Sequence, residues 1–232
     1  MHYRFLAALL LIVCVVPADA IGMQSVDGEG LDVGLFRNIN NLQTKEDGWI
    51  EFIDQSSFAV FVGVPSGLLL YGVFADDRSV LDTGVLMGSS QAFVLGTAAL
   101  GKIVLERQRP FEVLRDVKVK HLSSAIGSSF PSGHTSQAFA VATMLAYRAK
   151  PAVYVPALVW ATVIGYGRIY LGLHYPTDVL GGIALGVIAS SLVHAYRDDI
   201  IRFKDRVLGT TPEQIQSLNT PILRLQIPVS LH

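Results

Sequence analysis

The chain has 232 residues, 51% hydrophobic and 16% charged, with a formal net charge of −1 and a mean hydropathy of +0.45. A soluble domain carries about 25% charged residues, so the composition points to one membrane-embedded domain. The near-zero balance excludes a nucleic-acid surface or an acidic tail, and any basic chemistry must be local.

Residues 1–20, "MHYRFLAALLLIVCVVPADA", combine Arg4, an apolar stretch from Phe5 to Val16 and the small-x-small sequence Ala18-Asp19-Ala20. That is the layout of a signal peptide cleaved after Ala20. An uncleaved first membrane helix is the alternative, but the stretch is shorter than the roughly 17 to 25 residues a span needs. The only cysteine, Cys14, leaves with the leader, so the mature chain forms no disulfide. Export without disulfides suits a bacterial envelope protein.

Residues 21–56 read as a polar, Gly-rich lead-in, with Leu35, Phe36, Ile39 and Leu42 spaced along one helical face. It either lies on a membrane surface or packs as an entry segment. Ser57 to Ala75 follows with no charge in 19 residues, about 28 Å as a helix. Further helix-length apolar stretches run from Gly84 to Leu105, Gly133 to Tyr147, Ala152 to Leu171 and Thr177 to Tyr196. None shows strand alternation. Gly181, Gly182, Ala184 and Gly186 are the small residues that close packing between membrane helices uses. The expectation is an all-α integral-membrane bundle of about five transmembrane helices, occupying 57–196, with 197–232 as a tail. A soluble all-α bundle with a very apolar core is the alternative. In the tail, "LRLQIPVSL" alternates like a strand, but one such run decides nothing.

With a cleaved leader, five crossings put Arg148, Lys150, Arg197, Arg202, Lys204 and Arg206 on the cytoplasmic side, as the positive-inside tendency expects. Residues 106–130 lie outside yet carry Arg107, Arg109, Arg115, Lys118 and Lys120. They need a reason to be basic there.

The same topology gathers three clusters on the outer side: "KIVLERQRP" at 102–110, "PSGH" at 131–134 and "RIYLGLHYPTD" at 168–178. On a continuous helix Lys102 and Arg109 share a face two turns apart, and two cations aimed one way suit an anion; snorkelling to the interface is the bland alternative. Pro131 suits a first helical position, leaving Ser132 and Gly133 to offer backbone donors to a phosphate at a helix N-terminus. His134 then stands in the first turn, within reach of a proton on a bound group. Pro176 reads as another helix start, with Asp178 in the first turn and His174 just ahead. A carboxylate there fixes the imidazole tautomer and leaves the other nitrogen as a nucleophile. Without a second histidine or acidic ligand nearby, metal binding is the weaker reading.

Order and spacing together, K-x6-RP, then PSGH, then R-x5-H-x3-D, resemble the type 2 phosphatidic acid phosphatase superfamily, which also contains bacterial acid phosphatases and vanadium haloperoxidases. The resemblance covers roughly 57–196, and "GRIYLGLHYPTDVLGG" is similar to the membrane lipid-phosphatase branch. One departure is Gly167, where the family usually has serine. The resemblance implies that Lys102, Arg109, Arg168, Ser132 and the Gly133 N–H bind phosphate, His174 forms a phosphohistidine oriented by Asp178, and His134 exchanges protons with leaving group and water, with no metal or cofactor. It implies a lipid phosphate or diphosphate substrate, such as phosphatidic acid, phosphatidylglycerol phosphate, undecaprenyl diphosphate or lipid A phosphate. The site would face the periplasm from the bacterial inner membrane. A vanadium-dependent haloperoxidase, a soluble periplasmic acid phosphatase and a noncatalytic module on this scaffold are the competing readings. Under the lipid-phosphatase reading, Arg107, Arg115, Lys118 and Lys120 attract anionic head groups or form a solvated face.

Overall fold

The computed structural model describes residues 30–44, 48–120 and 127–209. The leader, its cleavage site, His121 and the alternating run in the tail lie outside the described residues. Among those described, the regular elements are helices: α1 (Leu31–Asn40), α2 (Gly48–Phe74), α3 (Arg78–Leu105), α4 (Pro110–Val113), α5 (Gly133–Arg148), α6 (Pro151–Tyr170), α7 (Pro176–Ala195) and α8 (Arg197–Val207). The protein is an all-α membrane bundle.

The five apolar stretches form the bundle, with altered bounds. α2 starts at Gly48 rather than Ser57, so it runs across the boundary expected at residue 57. Its buried residues Ile50, Asp54, Ser57, Phe61 and Pro65 recur every three or four positions, the stripe by which a helix meets its neighbours. Glu51 and Asp54 interrupt the apolar count without interrupting the helix. α3 also starts early, at Arg78, because the Asp77 carboxylate caps it by accepting from the Val80 N–H at 3.1 Å.

Four helices are long and apolar enough to cross a membrane: α2, α3, α6 and α7. The fifth, α5, has 16 residues, about 24 Å against a hydrocarbon core of about 30 Å. It packs against α3, α6 and α7 and is the hub of the bundle. Walled by protein, it can begin below the surface and carry polar residues. Its inward positions are mostly small, including Ala138, Ala140 and Ala142, all fully buried. α7 approaches closely because a Cβ at Gly182 would meet the Ser132 carbonyl at 2.8 Å and one at Gly186 the Ser136 carbonyl at 2.4 Å. Outward side chains such as Phe58, Leu70, Leu95, Ile103, Val159 and Leu180 are exposed, as a lipid-facing surface requires.

α1 is a packed entry segment. Phe36 lies against Ile169, Tyr175 and Val179, and the Asn40 amide donates to the carbonyls of Lys118 (2.8 Å) and Tyr170 (3.0 Å) while accepting from the Lys118 N–H. Residues 196–209 belong to a separate compact unit. Its helix α8 has Asp198 and Asp199 in its first turn and Lys204 and Arg206 in its last, each sign at the end its dipole favours.

Candidate active site

At one end of the bundle, the C-termini of α3 and α6 meet the N-termini of α5 and α7. Lys102 is in the last turn of α3. The helix then stops at Glu106, which adopts the left-handed conformation (φ 41°, ψ 32°). Lys102 and Arg109 are therefore not on one continuous helix, contrary to expectation. They reach the same place because residues 106–109 turn back over the bundle end. The Lys102 Nζ donates to the Ser128 carbonyl. Arg109, 2% exposed, donates from Nε to the Gly127 carbonyl at 2.9 Å and from Nη1 to the Leu173 carbonyl at 3.1 Å. Its own N–H is held by the Glu112 carboxylate of α4 at 2.7 Å.

Pro131 does not occupy the first helical position: Ser132 is the N-cap, and Gly133 begins α5. The Ser132 N–H is engaged by the Asp178 carbonyl at 3.0 Å, and its hydroxyl lies 2.9 Å from that of Thr135. The Gly133 N–H remains at the helix start, where a donor has no partner within the helix. His134 stands in the first turn, its ring edge-on to Phe61 at 5.9 Å between centroids, within electrostatic range of Arg168, Asp54, His174 and Arg109.

α7 starts at Pro176 as expected, with Asp178 in its first turn. His174 is 2% exposed. Its Nε2 lies 3.4 Å from the Arg109 Nη1. A guanidinium only donates, so Nε2 accepts and the ring proton belongs on Nδ1. That nitrogen faces Asp178 Oδ2 at 3.6 Å and Ser129 Oγ at 3.5 Å. The Ser129 hydroxyl donates to the same Oδ2 at 2.5 Å, as does the Tyr175 N–H at 2.8 Å. Burial pushes the His174 pKa down to about 3; Arg168 and Arg109 add to this, while Asp178 opposes it. The imidazole is thus neutral at physiological pH, its lone pair turned toward the cations.

Arg168 is fully buried, and its Nη1 bonds both oxygens of Asp54, at 2.9 and 2.8 Å. Gly167 gives α2 room here, since a Cβ would sit 3.3 Å from the Ile50 Cγ2. Lys102, Ser132, Gly133, His134, Arg109, Arg168, His174 and Asp178 therefore all come to one bundle end. Missing from the sequence reading are Asp54, Asp32, Ser129 and the true position of Arg107. Arg107 is neither a head-group attractor nor part of a solvated face; it turns inward onto Asp178 and Asp32, at 2.5 and 2.6 Å. Lys118 donates to the Asn41 and Gln43 carbonyls, and Lys120 pairs with Glu51 at 2.7 Å. The one available signal for Asp54 was an acid beside a long apolar run. Among the described residues, no group of three or more His, Cys, Asp or Glu is placed to hold a metal ion.

The PAP2 superfamily model matches residues 79–202. The chain belongs to the PAP2 superfamily. Among PAP2 relatives, the undecaprenyl-diphosphatase BcrC of Bacillus subtilis is 33% identical over 164 residues, covering 70% of this chain and 80% of that one. Phosphatidylglycerophosphatase B of Bacillus subtilis is 40% identical over 88 residues, 34% of this chain and only 43% of that relative. The crystal structure of Aquifex aeolicus LpxE superposes with a TM-score of 0.62 at 26% identity, covering 75% of this chain and all of that one. The two named Bacillus relatives are phosphatases, and this PAP2 chain is a hydrolase of that kind and a multi-pass membrane protein.

Proposed function

We propose that the protein removes phosphate from a lipid phosphate or diphosphate at the periplasmic face of the bacterial inner membrane. The observation that carries this is the convergence of Lys102, Arg109 and Arg168 around a neutral His174 at one end of a lipid-facing bundle. The relatives named for undecaprenyl diphosphate and phosphatidylglycerophosphate support a lipid-borne phosphate.

Lys102, Arg109 and Arg168, with the Ser132 hydroxyl and the Gly133 N–H, hold the phosphate and stabilise charge growing on its equatorial oxygens. The Nε2 lone pair of His174 attacks phosphorus. A P–N bond forms as the P–O bond to the lipid breaks, and His134 gives a proton to the departing oxygen. Asp178 steadies the positive charge that develops on the His174 ring. In the second half His134 takes a proton from water, the water oxygen attacks phosphorus, and the P–N bond breaks to return the lone pair to Nε2. The cationic side chains serve the role that Mg²⁺ fills in many phosphoryl-transfer sites, so no metal takes part.

Phosphate release by the purified protein from phosphatidic acid, phosphatidylglycerol phosphate, undecaprenyl diphosphate and lipid A, with and without a chelator, tests this reading. Release from at least one lipid, unaffected by chelator, is expected. Release from none would refute the substrate class, and loss with chelator the metal-free mechanism.

A further inference from the structure

Arg107 is one of the unspecified positions within K-x6-RP, yet it binds Asp178 of the Asp178–His174 pair directly. Its Nη1 donates to Asp178 Oδ1 at 2.5 Å and to the Thr177 hydroxyl at 2.7 Å, its Nη2 to Asp32 Oδ2 at 2.6 Å. The guanidinium lies 4.2 Å over the Tyr175 ring. Asp32, only 7% exposed, is anchored independently of Arg107: its Oδ1 accepts from the Thr177 N–H at 2.9 Å and its Oδ2 from the Thr177 hydroxyl at 2.6 Å. α1 thus carries a carboxylate that fixes the start of α7 and the guanidinium beside it.

We propose that Arg107, held by Asp32, is a positioning residue that compensates the charge of Asp178 and limits how firmly that carboxylate holds the His174 proton. This rests on His174 being the nucleophile.

The two oxygens of Asp178 divide the work. Oδ1 is taken by Arg107, and Oδ2 faces His174 while accepting from Ser129 and Tyr175. A buried carboxylate with no cation beside it would favour the doubly protonated imidazolium, which has no lone pair to attack with. It would also stabilise the phosphohistidine, whose ring carries positive charge, and slow its hydrolysis. Arg107 opposes both effects. The other groups facing His174 are Arg109 at Nε2, Arg168 from α6 and His134 from α5, with Lys102 of α3 acting on Asp178. Glu112 of α4 binds the Arg109 backbone. Arg107 is the group bonded to Asp178 Oδ1.

The test is the pH profile of kcat/KM on a short-chain phosphatidic acid in detergent micelles, for the full chain and its variants; the substrate's own ionisation is common to all and cancels in the comparison. Arg107→Met should move the acidic limb up by about one pH unit, lower kcat at neutral pH about tenfold, and produce a pre-steady-state burst as the intermediate accumulates. Arg107→Lys should return the limb to its original pH by restoring the charge, with kcat only partly recovered because an ammonium lacks the fork. If Arg107→Met does not reach the membrane, Arg107→Gln keeps a donor without the charge and must give the same shift. A limb that stays in place while kcat falls, or one that moves in Arg107→Lys, overturns the proposal. His174→Ala is measured alongside: turnover in that variant would defeat the nucleophile assignment, whereas an inactive His174→Ala with coincident limbs elsewhere would defeat the Arg107 role alone.

Discussion

The two ends of the bundle hold similar residue types in different ways. At the far end, Arg148 reaches the Thr83 hydroxyl at 3.1 Å and the Ser79 carbonyl at 3.2 Å. Beside it Tyr147 stacks on His194 at 4.1 Å and bonds the Ser191 hydroxyl. These are polar contacts on partly exposed side chains. At the site end, Arg109, Arg168, His174 and Asp178 are all at most 2% exposed and bound into one network. Removing an ion from water costs several kcal/mol even after relaxation, and hydrophobic packing would hold helices together more cheaply. Burying several charges together therefore makes sense as preparation for a bound anion. The carboxylates Asp32 and Asp54 keep the arginines oriented, so that little reorganisation is left for substrate binding.

Substitutions at the two ends should separate accordingly. Short of the nucleophile itself, the largest effect is expected from His134→Ala: about 10² to 10⁴-fold in kcat on an alkyl phosphate, and distinctly less on an aryl phosphate, whose leaving group needs little protonation. Equal losses on both would remove His134 from the acid role. Asp54→Asn frees one side of Arg168, and kcat/KM should fall about 10²-fold, the scale of a mispositioned binding group; Asp54→Glu should recover part of it. Ser129→Ala leaves Asp178 bound to Arg107 and the Tyr175 N–H but removes the hydroxyl beside His174 Nδ1. Steady-state kinetics should register a loss of about tenfold, the worth of one hydrogen bond to a charged group. Arg148→Ala, at the far end, should leave kcat/KM within about twofold and change thermal stability by less than about 1 kcal/mol. A loss there as large as that of Asp54→Asn would erase the distinction between the ends.

The residues read in advance share a property: their positions follow from local chain geometry. Pro176 begins a helix, and that alone places Asp178 in the first turn with His174 before it. The apolar lengths likewise gave the bundle its five long helices. What stayed hidden depends on partners far along the chain. Asp54 and Arg168 are 114 residues apart, and Asp32 and Arg107 are 75 apart; no periodicity links them. The start of α2 was misplaced for the same reason, because an acid that will be buried against an arginine looks like a solvated helix boundary. The K-x6-R spacing suggested one helix face, but the left-handed residue Glu106 and the turn after it bring Lys102 and Arg109 together instead.

The central claim is that His174 is the covalent nucleophile inside this cationic pocket. Rapid mixing with a substrate carrying radiolabelled phosphate, quenching in alkali, where phosphohistidine survives, and peptide mapping would test it most directly. Label on the peptide containing His174, absent from His174→Ala, is the predicted result. Turnover at the normal rate with label on another residue, or with none trapped even in a variant slowed at the hydrolysis step, would contradict it.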